Sequence, residues 1–208
     1  MWTPSIRLAG GVTGLGGLLV AVAAVPTRWF GPRPTDSYVF DPPRFSALWV
    51  ERTVIPVVAV AAAILLLAGL LSLLWRDRER MARWQRWFAA IAVVGAAIVT
   101  LATMLVFSTE GSATSDVSAT MNVLIGVALG LLGTVLALPG LVAWGVGYVR
   151  NERRRIGAAL AGGPVVSGLF VAGSLAAGVS LDPLGGLVIV LPLSLAALIV
   201  GADLWRGT

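Results

Sequence analysis

Charged residues interrupt this chain rarely and in clusters, leaving six long apolar runs between them: Leu8–Thr27, Thr53–Trp75, Trp87–Thr109, Val117–Val149, Gly157–Leu181 and Pro183–Ala202. Each reaches the roughly 20 residues that a helix needs to cross the hydrocarbon of a bilayer. The runs are apolar on every side, so they carry no 3.6-residue stripe that would mark an inward face. In lipid the backbone must satisfy its own hydrogen bonds within the segment, which selects helices. Strands of a membrane barrel would alternate over segments of about ten residues, and that pattern is absent. The pattern therefore predicts an all-α polytopic membrane protein. It is a single domain over 1–208, with spans near 8–27, 53–75, 87–109, 120–149, 157–181 and 183–205.

The first run has a second reading. Arg7, an apolar stretch and the small residues around Ala21–Ala24 also fit a cleaved signal peptide. Cleavage would leave five spans and an outside amino terminus. The stretch is longer than a usual signal-peptide core, and Pro26 follows the small residues closely, so a retained span is the preferred expectation.

Orientation follows from arginine. The connection after the second run carries Arg76, Arg78, Arg80, Arg83 and Arg86, and the one after the fourth carries Arg150, Arg153, Arg154 and Arg155. With Arg7 and Arg206, eleven of the fifteen arginines fall on one side, against Arg28, Arg33, Arg44 and Arg52 on the other. Positive residues in short loops stay in the cytoplasm, so both basic hairpins and both termini are expected inside the cell membrane. The clusters act as topology determinants that also meet anionic lipid headgroups. Trp29, Trp49, Trp75, Trp84, Trp87 and Trp205 lie near span ends, and Trp144 precedes the Arg150 cluster, all as interfacial anchors would.

Composition sharpens this. The chain is 58% hydrophobic and 12% charged, with a mean hydropathy of +0.92. Soluble domains are about 25% charged. The high pI, near 11.2, is then an arginine bias across a membrane and not a nucleic-acid footprint. The chain has no Cys, His or Lys. That removes thiolate chemistry, Ser-His triads, HExxH zinc sites, Schiff bases and the Walker A loop. Arg without Lys and spans rich in Ala, Gly and Val resemble small membrane proteins of high-GC prokaryotes, including halophilic archaea, with no motif to transfer.

No charged side chain lies within the six runs. Intramembrane ionisable groups usually mark relays or catalytic dyads, so a proton-coupled carrier or intramembrane aspartyl protease is not expected. Asp182 and Asp203 flank opposite ends of the last run, and Asp77 and Glu79 stand among arginines as a solvated, salt-bridged loop. No catalytic, cofactor or metal residue is assigned. The polar residues at depth are Thr13, Ser72, Thr100, Thr103, Asn122, Thr134, Ser167, Ser174 and Ser194. They are expected to bond to helix carbonyls or to join helices.

Glycine and alanine are plentiful enough for tight helix contacts, with small-xxx-small spacings at Gly10/Gly14, Gly126/Gly130, Ala143/Gly147, Gly173/Ala177, Ser174/Gly178 and Ala197/Gly201. Pro139, Pro164 and Pro192 are candidate kinks, one in each of the last three spans. The segment 26–52 is an extracytoplasmic loop rich in proline and aromatics. Trp29, Phe30, Tyr38, Phe40, Phe45 and Trp49 are candidates for partner recognition or for the headgroup layer. Asp41-Pro42-Pro43 reads as a helix start, so the second helix begins near Pro43 or residues 44–52 lie flat at the interface.

The expected function is that of a non-enzymatic structural or accessory membrane component, or a partner-binding one, contacting lipid and another membrane protein. The alternative is a small transporter or channel for a neutral or lipid-like solute through the last three proline-containing helices.

Overall fold

A computed structural model describes residues 3–25, 44–108, 117–151, 153–178 and 185–206. Every regular element among them is helical. In chain order they are α1 (Thr3–Ala23), α2 (Ala47–Asp77), α3 (Arg83–Phe107), α4 (Val117–Arg150), α5 (Arg154–Ala176) and α6 (Gly185–Arg206). Five helices, α2 to α6, are long and apolar enough to cross a membrane. The apolar stretch of α1, Arg7–Ala23, is shorter.

The boundaries differ from expectation for local reasons. Helix α2 does continue back through the expected loop, but it starts at Ala47, where the Ser46 side chain accepts from the Trp49 amide at 3.1 Å. The cap expected at Asp41 lies outside the described residues. Just inside its start, α2 widens into a π turn over Val50–Val54, directly before Pro56. Proline lacks the N–H for an ordinary helical bond and crowds the carbonyl four residues back, and a π turn absorbs that mismatch. Helix α5 stops at Ala176, short of the expected 181. Gly178 takes a left-handed φ of +62° and its amide reaches the Leu175 carbonyl, the glycine termination that other residues adopt poorly. Helix α4 has 34 residues, about 51 Å of helix. It exceeds a hydrocarbon core of about 30 Å and must tilt or protrude.

Each helix packs against its chain neighbours, and α6 returns to pack against α1, closing a ring of six. Lipid offers apolar side chains as much as protein does, so close backbone approach carries the association. The α1–α6 seam is built from two spacings legible in the sequence: a Cβ at Gly201 would lie 2.6 Å from the Gly14 nitrogen, and one at Gly17 would lie 2.8 Å from the Ala197 Cβ. The most extensive contact, α3 on α4, uses Gly95, Gly133 and Gly140. A Cβ at Gly95 would meet the Ala137 nitrogen at 2.5 Å, and one at Gly140 the Ala92 nitrogen at 2.8 Å. At Gly173 a Cβ would meet nothing within 4 Å, so the Gly173/Ala177 spacing holds no such seam.

The core sits at the hairpin end of the ring. Leu73, Trp144, Ile156 and Leu204, from four helices, are almost completely buried there. At that end Trp144 is a core residue. The interfacial anchor expected at this position is corrected: the preceding run carries it inward against Tyr148, with ring centroids 6.1 Å apart.

Candidate functional site

Two tight turns bring the polar side chains of the hairpin end together. Helix α2 closes at Asp77, whose carbonyl accepts from the Arg80 and Met81 amides at 2.9 and 3.1 Å. Helix α4 closes at Arg150, and the amides of Asn151 and Arg153 return to the Tyr148 carbonyl, each at 3.1 Å. That fold-back carries Arg153 toward the end of α2.

Asp77 is 3% exposed. It shares the i, i+4 stripe of α2 with the buried Gly69 and Leu73, so the face that enters the bundle carries the carboxylate in with it. Its Oδ2 accepts from Tyr148 Oη at 2.7 Å, Arg76 Nη2 at 2.9 Å and Arg153 Nη1 at 3.0 Å. Its Oδ1 accepts from Arg76 Nε at 3.0 Å and is 3.3 Å from Arg153 Nη1. A carboxylate offers about four lone-pair sites, and this one is fully engaged. The expectation of a solvated loop carboxylate at Asp77 is overturned. The arginines do neutralise it, but one comes from its own helix and the other from a turn 76 residues away.

A second polar pair lies beside it. Gln85, 1% exposed, donates from Nε2 toward the Trp144 carbonyl at 3.4 Å and accepts from Asn151 Nδ2 at 3.5 Å. Gly147 makes the space, since a side chain there would run into the Gln85 amide. Helix α3 begins at Arg83, four residues before the expected span, which is why Gln85 enters the bundle at all. Trp144 Nε1 is buried without a hydrogen-bond partner.

The expected basic clusters divide by role. Arg76 and Arg153 turn onto Asp77. Arg78 lies over the Trp75 ring at 5.8 Å and Arg150 over Trp84 at 5.9 Å. Arg80, Arg83, Arg86, Arg154 and Arg155 are exposed. Sharing one carboxylate between two guanidiniums leaves the cluster net positive. Chemically it is a clamp between the α2–α3 and α4–α5 turns, with no spare lone pair for a substrate. Among the described residues no three Asp or Glu side chains group as metal ligands.

Seven of the eight hydroxyls expected at depth, all but Ser174, are engaged with backbone. Thr13, Ser72, Thr103 and Thr134 donate to the carbonyl four residues back in their own helices, at 2.7–2.8 Å. Thr100 does the same at 2.9 Å and lies 3.4 Å from Ala63 of α2. Two hydroxyls join helices: Ser194 to the Gly17 carbonyl at 2.6 Å and Ser167 to the Ile189 carbonyl at 2.7 Å. The second sits one residue from Val188, whose carbonyl loses its helical donor at Pro192. Pro139 and Pro164 also lie inside their helices, Pro139 exposed and Pro164 buried.

Between α5 and α6, beside Pro192, runs a groove of about 650 Å³ whose lining is almost wholly apolar. Of the candidate recognition residues, Phe45 is highly exposed, holds a φ of +65°, and packs its ring 5.5 Å from that of Trp49. Trp29, Phe30, Tyr38 and Phe40 lie outside the described residues. Comparison with family models, with curated proteins and with solved structures returns no match for this chain.

Proposed function

We propose that this protein is a non-enzymatic, structural or accessory component of the cell membrane, built from six crossing helices with both termini in the cytoplasm. The observation that carries the reading is the clamp at Asp77: the one buried carboxylate among the described residues is spent on holding two hairpins together. The hydroxyls at depth point the same way, because seven of them are spent on helix carbonyls. Chemistry spent on rigidity supports a scaffold. Recognition then falls to the opposite end, where Phe45 precedes α2 and packs on Trp49 in its first turn.

The six-span count draws on α1, which is 21 residues long and lies in the ring between α2 and α6. A transporter for a lipid-like solute is the second reading, and the apolar groove beside Pro192 favours it over a path for polar solutes.

The test is photo-crosslinking in native membranes, with a photoreactive amino acid at Phe45 or Trp49. The accessory reading expects one discrete adduct with another membrane protein, weakened by changing the neighbouring aromatic. Adducts with lipid alone, together with solute flux in proteoliposomes above that of empty vesicles, would favour the transporter.

A further inference from the structure

The groove between α5 and α6 has the build of a site for one phospholipid. Its walls and floor come from these two helices alone: Val166, Phe170, Leu191, Leu195 and Ile199 are exposed along it, while Ala159, Gly163 and Ala196 are buried at its floor. The floor is where the helices touch: a Cβ at Gly163 would sit 2.7 Å from the Ala196 Cβ and 3.0 Å from the Pro192 carbonyl. One residue earlier, Gly162 lines the groove and a Cβ there meets nothing within 4 Å. The backbone is bare at that point, open to a narrow chain lying against it.

At the hairpin end the groove begins at Arg155, its one charged lining residue. Arg155 is exposed and makes no ion pair among the described residues, unlike Arg76 and Arg153 in the same clusters. From Arg155 to Phe170 the groove follows about 22 Å of helix at ~1.5 Å per residue. Half of a hydrocarbon core of about 30 Å is one leaflet, so an acyl chain running down from a headgroup at Arg155 stays in contact for its whole depth.

From this geometry we infer that α5 and α6 hold one anionic phospholipid, its phosphate on Arg155 and an acyl chain along Gly162 toward Phe170. The site stands independently of the accessory reading and needs only that α5 and α6 lie in a bilayer.

The test is native mass spectrometry of the full chain, released from nanodiscs of equal phosphatidylglycerol and phosphatidylcholine. The wild type is expected to retain one phosphatidylglycerol per chain in preference to phosphatidylcholine. Arg155→Gln should reduce that preference about fivefold, the worth of one surface arginine. Gly162→Leu should lose the retained lipid while keeping wild-type helical circular dichroism. Ala158→Leu, on the same lining, serves if that variant misfolds. Equal retention of the two lipids by the wild type, or retention unchanged in both leucine variants, would overturn the site. So would efficient disulfide dimers of Val166→Cys, which would put a second copy in the groove.

Discussion

The Tyr148 hydroxyl donates to Asp77 Oδ2 at 2.7 Å, tying the end of α4 to the end of α2 across 71 residues of chain. Both partners are buried, at 3% exposure each. A hydrogen bond to a charged, buried acceptor is worth about 1.5–3 kcal/mol. Tyr148→Phe keeps the ring stacked on Trp144 and removes only that bond. Thermal unfolding in detergent should show a loss within that range, with the helical content of the folded protein unchanged. An unaltered melting curve would mean that the bond contributes nothing net.

Asp77→Ala should cost more, about 3 kcal/mol, the low end for breaking a buried pair, because it leaves the buried Tyr148 hydroxyl without its acceptor and the partly exposed Arg76 and Arg153 guanidiniums facing each other. Arg153→Gln should cost less, about 1 kcal/mol, because the Arg153 side chain is 32% exposed and Arg76 remains on the carboxylate. Combining Arg153→Gln with Tyr148→Phe should give a coupling of about 0.5 kcal/mol or more, since both act on Oδ2. Strict additivity in that cycle would argue against a shared clamp.

Glycine substitutions should separate seams from open surface. At Gly145 a Cβ would come within 2.7 Å of the Ala161 nitrogen and the Gly157 carbonyl, so Gly145→Ala must push α4 away from α5. At Gly168 a Cβ meets nothing. Gly168→Ala should be neutral or stabilising by up to about 1 kcal/mol through helix propensity alone. Gly145→Ala should destabilise by about 1–3 kcal/mol, the range for overpacking. Melting temperatures of the two variants in one detergent decide the matter, and equal shifts would contradict the assigned seams.

The hydroxyl of Ser167 is expected to matter modestly. Ser167→Ala removes the bond from α5 to the Ile189 carbonyl of α6. Interhelical side-chain bonds in membranes average about 0.6 kcal/mol. The measured loss should be of that size, and a value above about 2 kcal/mol would point to a larger network at Pro192.

Much of this architecture is visible in the sequence, and the part that is not has a physical reason. Runs of apolar residues announce helices, and the arginine clusters announce that two turns share one end. Gly10/Gly14 and Ala197/Gly201 mark the α1–α6 seam. Rotation about the helix axis is not announced, because a run that is apolar all round has no inward face to read. For that reason Gly95 and Gly133 do not stand out from other glycines, and Trp144 resembles an interfacial anchor while it fills the core. Asp77 shows the same limit. Its signal is faint: it follows Gly69 and Leu73 at spacings of four, so it belongs to the helix and not to the turn. Its partners Tyr148 and Arg153 are reached only through the closed ring of helices, which no local pattern encodes.

The central claim is that α2 to α5 thread a bilayer with both basic hairpins on one face and Phe45 on the other. The chain has no cysteine, so single introduced thiols report cleanly. Arg78→Cys, Arg154→Cys and Phe45→Cys in sealed cells, treated with a membrane-impermeant maleimide, test it directly. The account predicts labelling of Phe45→Cys from outside, with Arg78→Cys and Arg154→Cys protected until the membrane is opened. Labelling of Arg78→Cys and Arg154→Cys from opposite sides would contradict it, because the Asp77–Arg153 ion pair cannot then form.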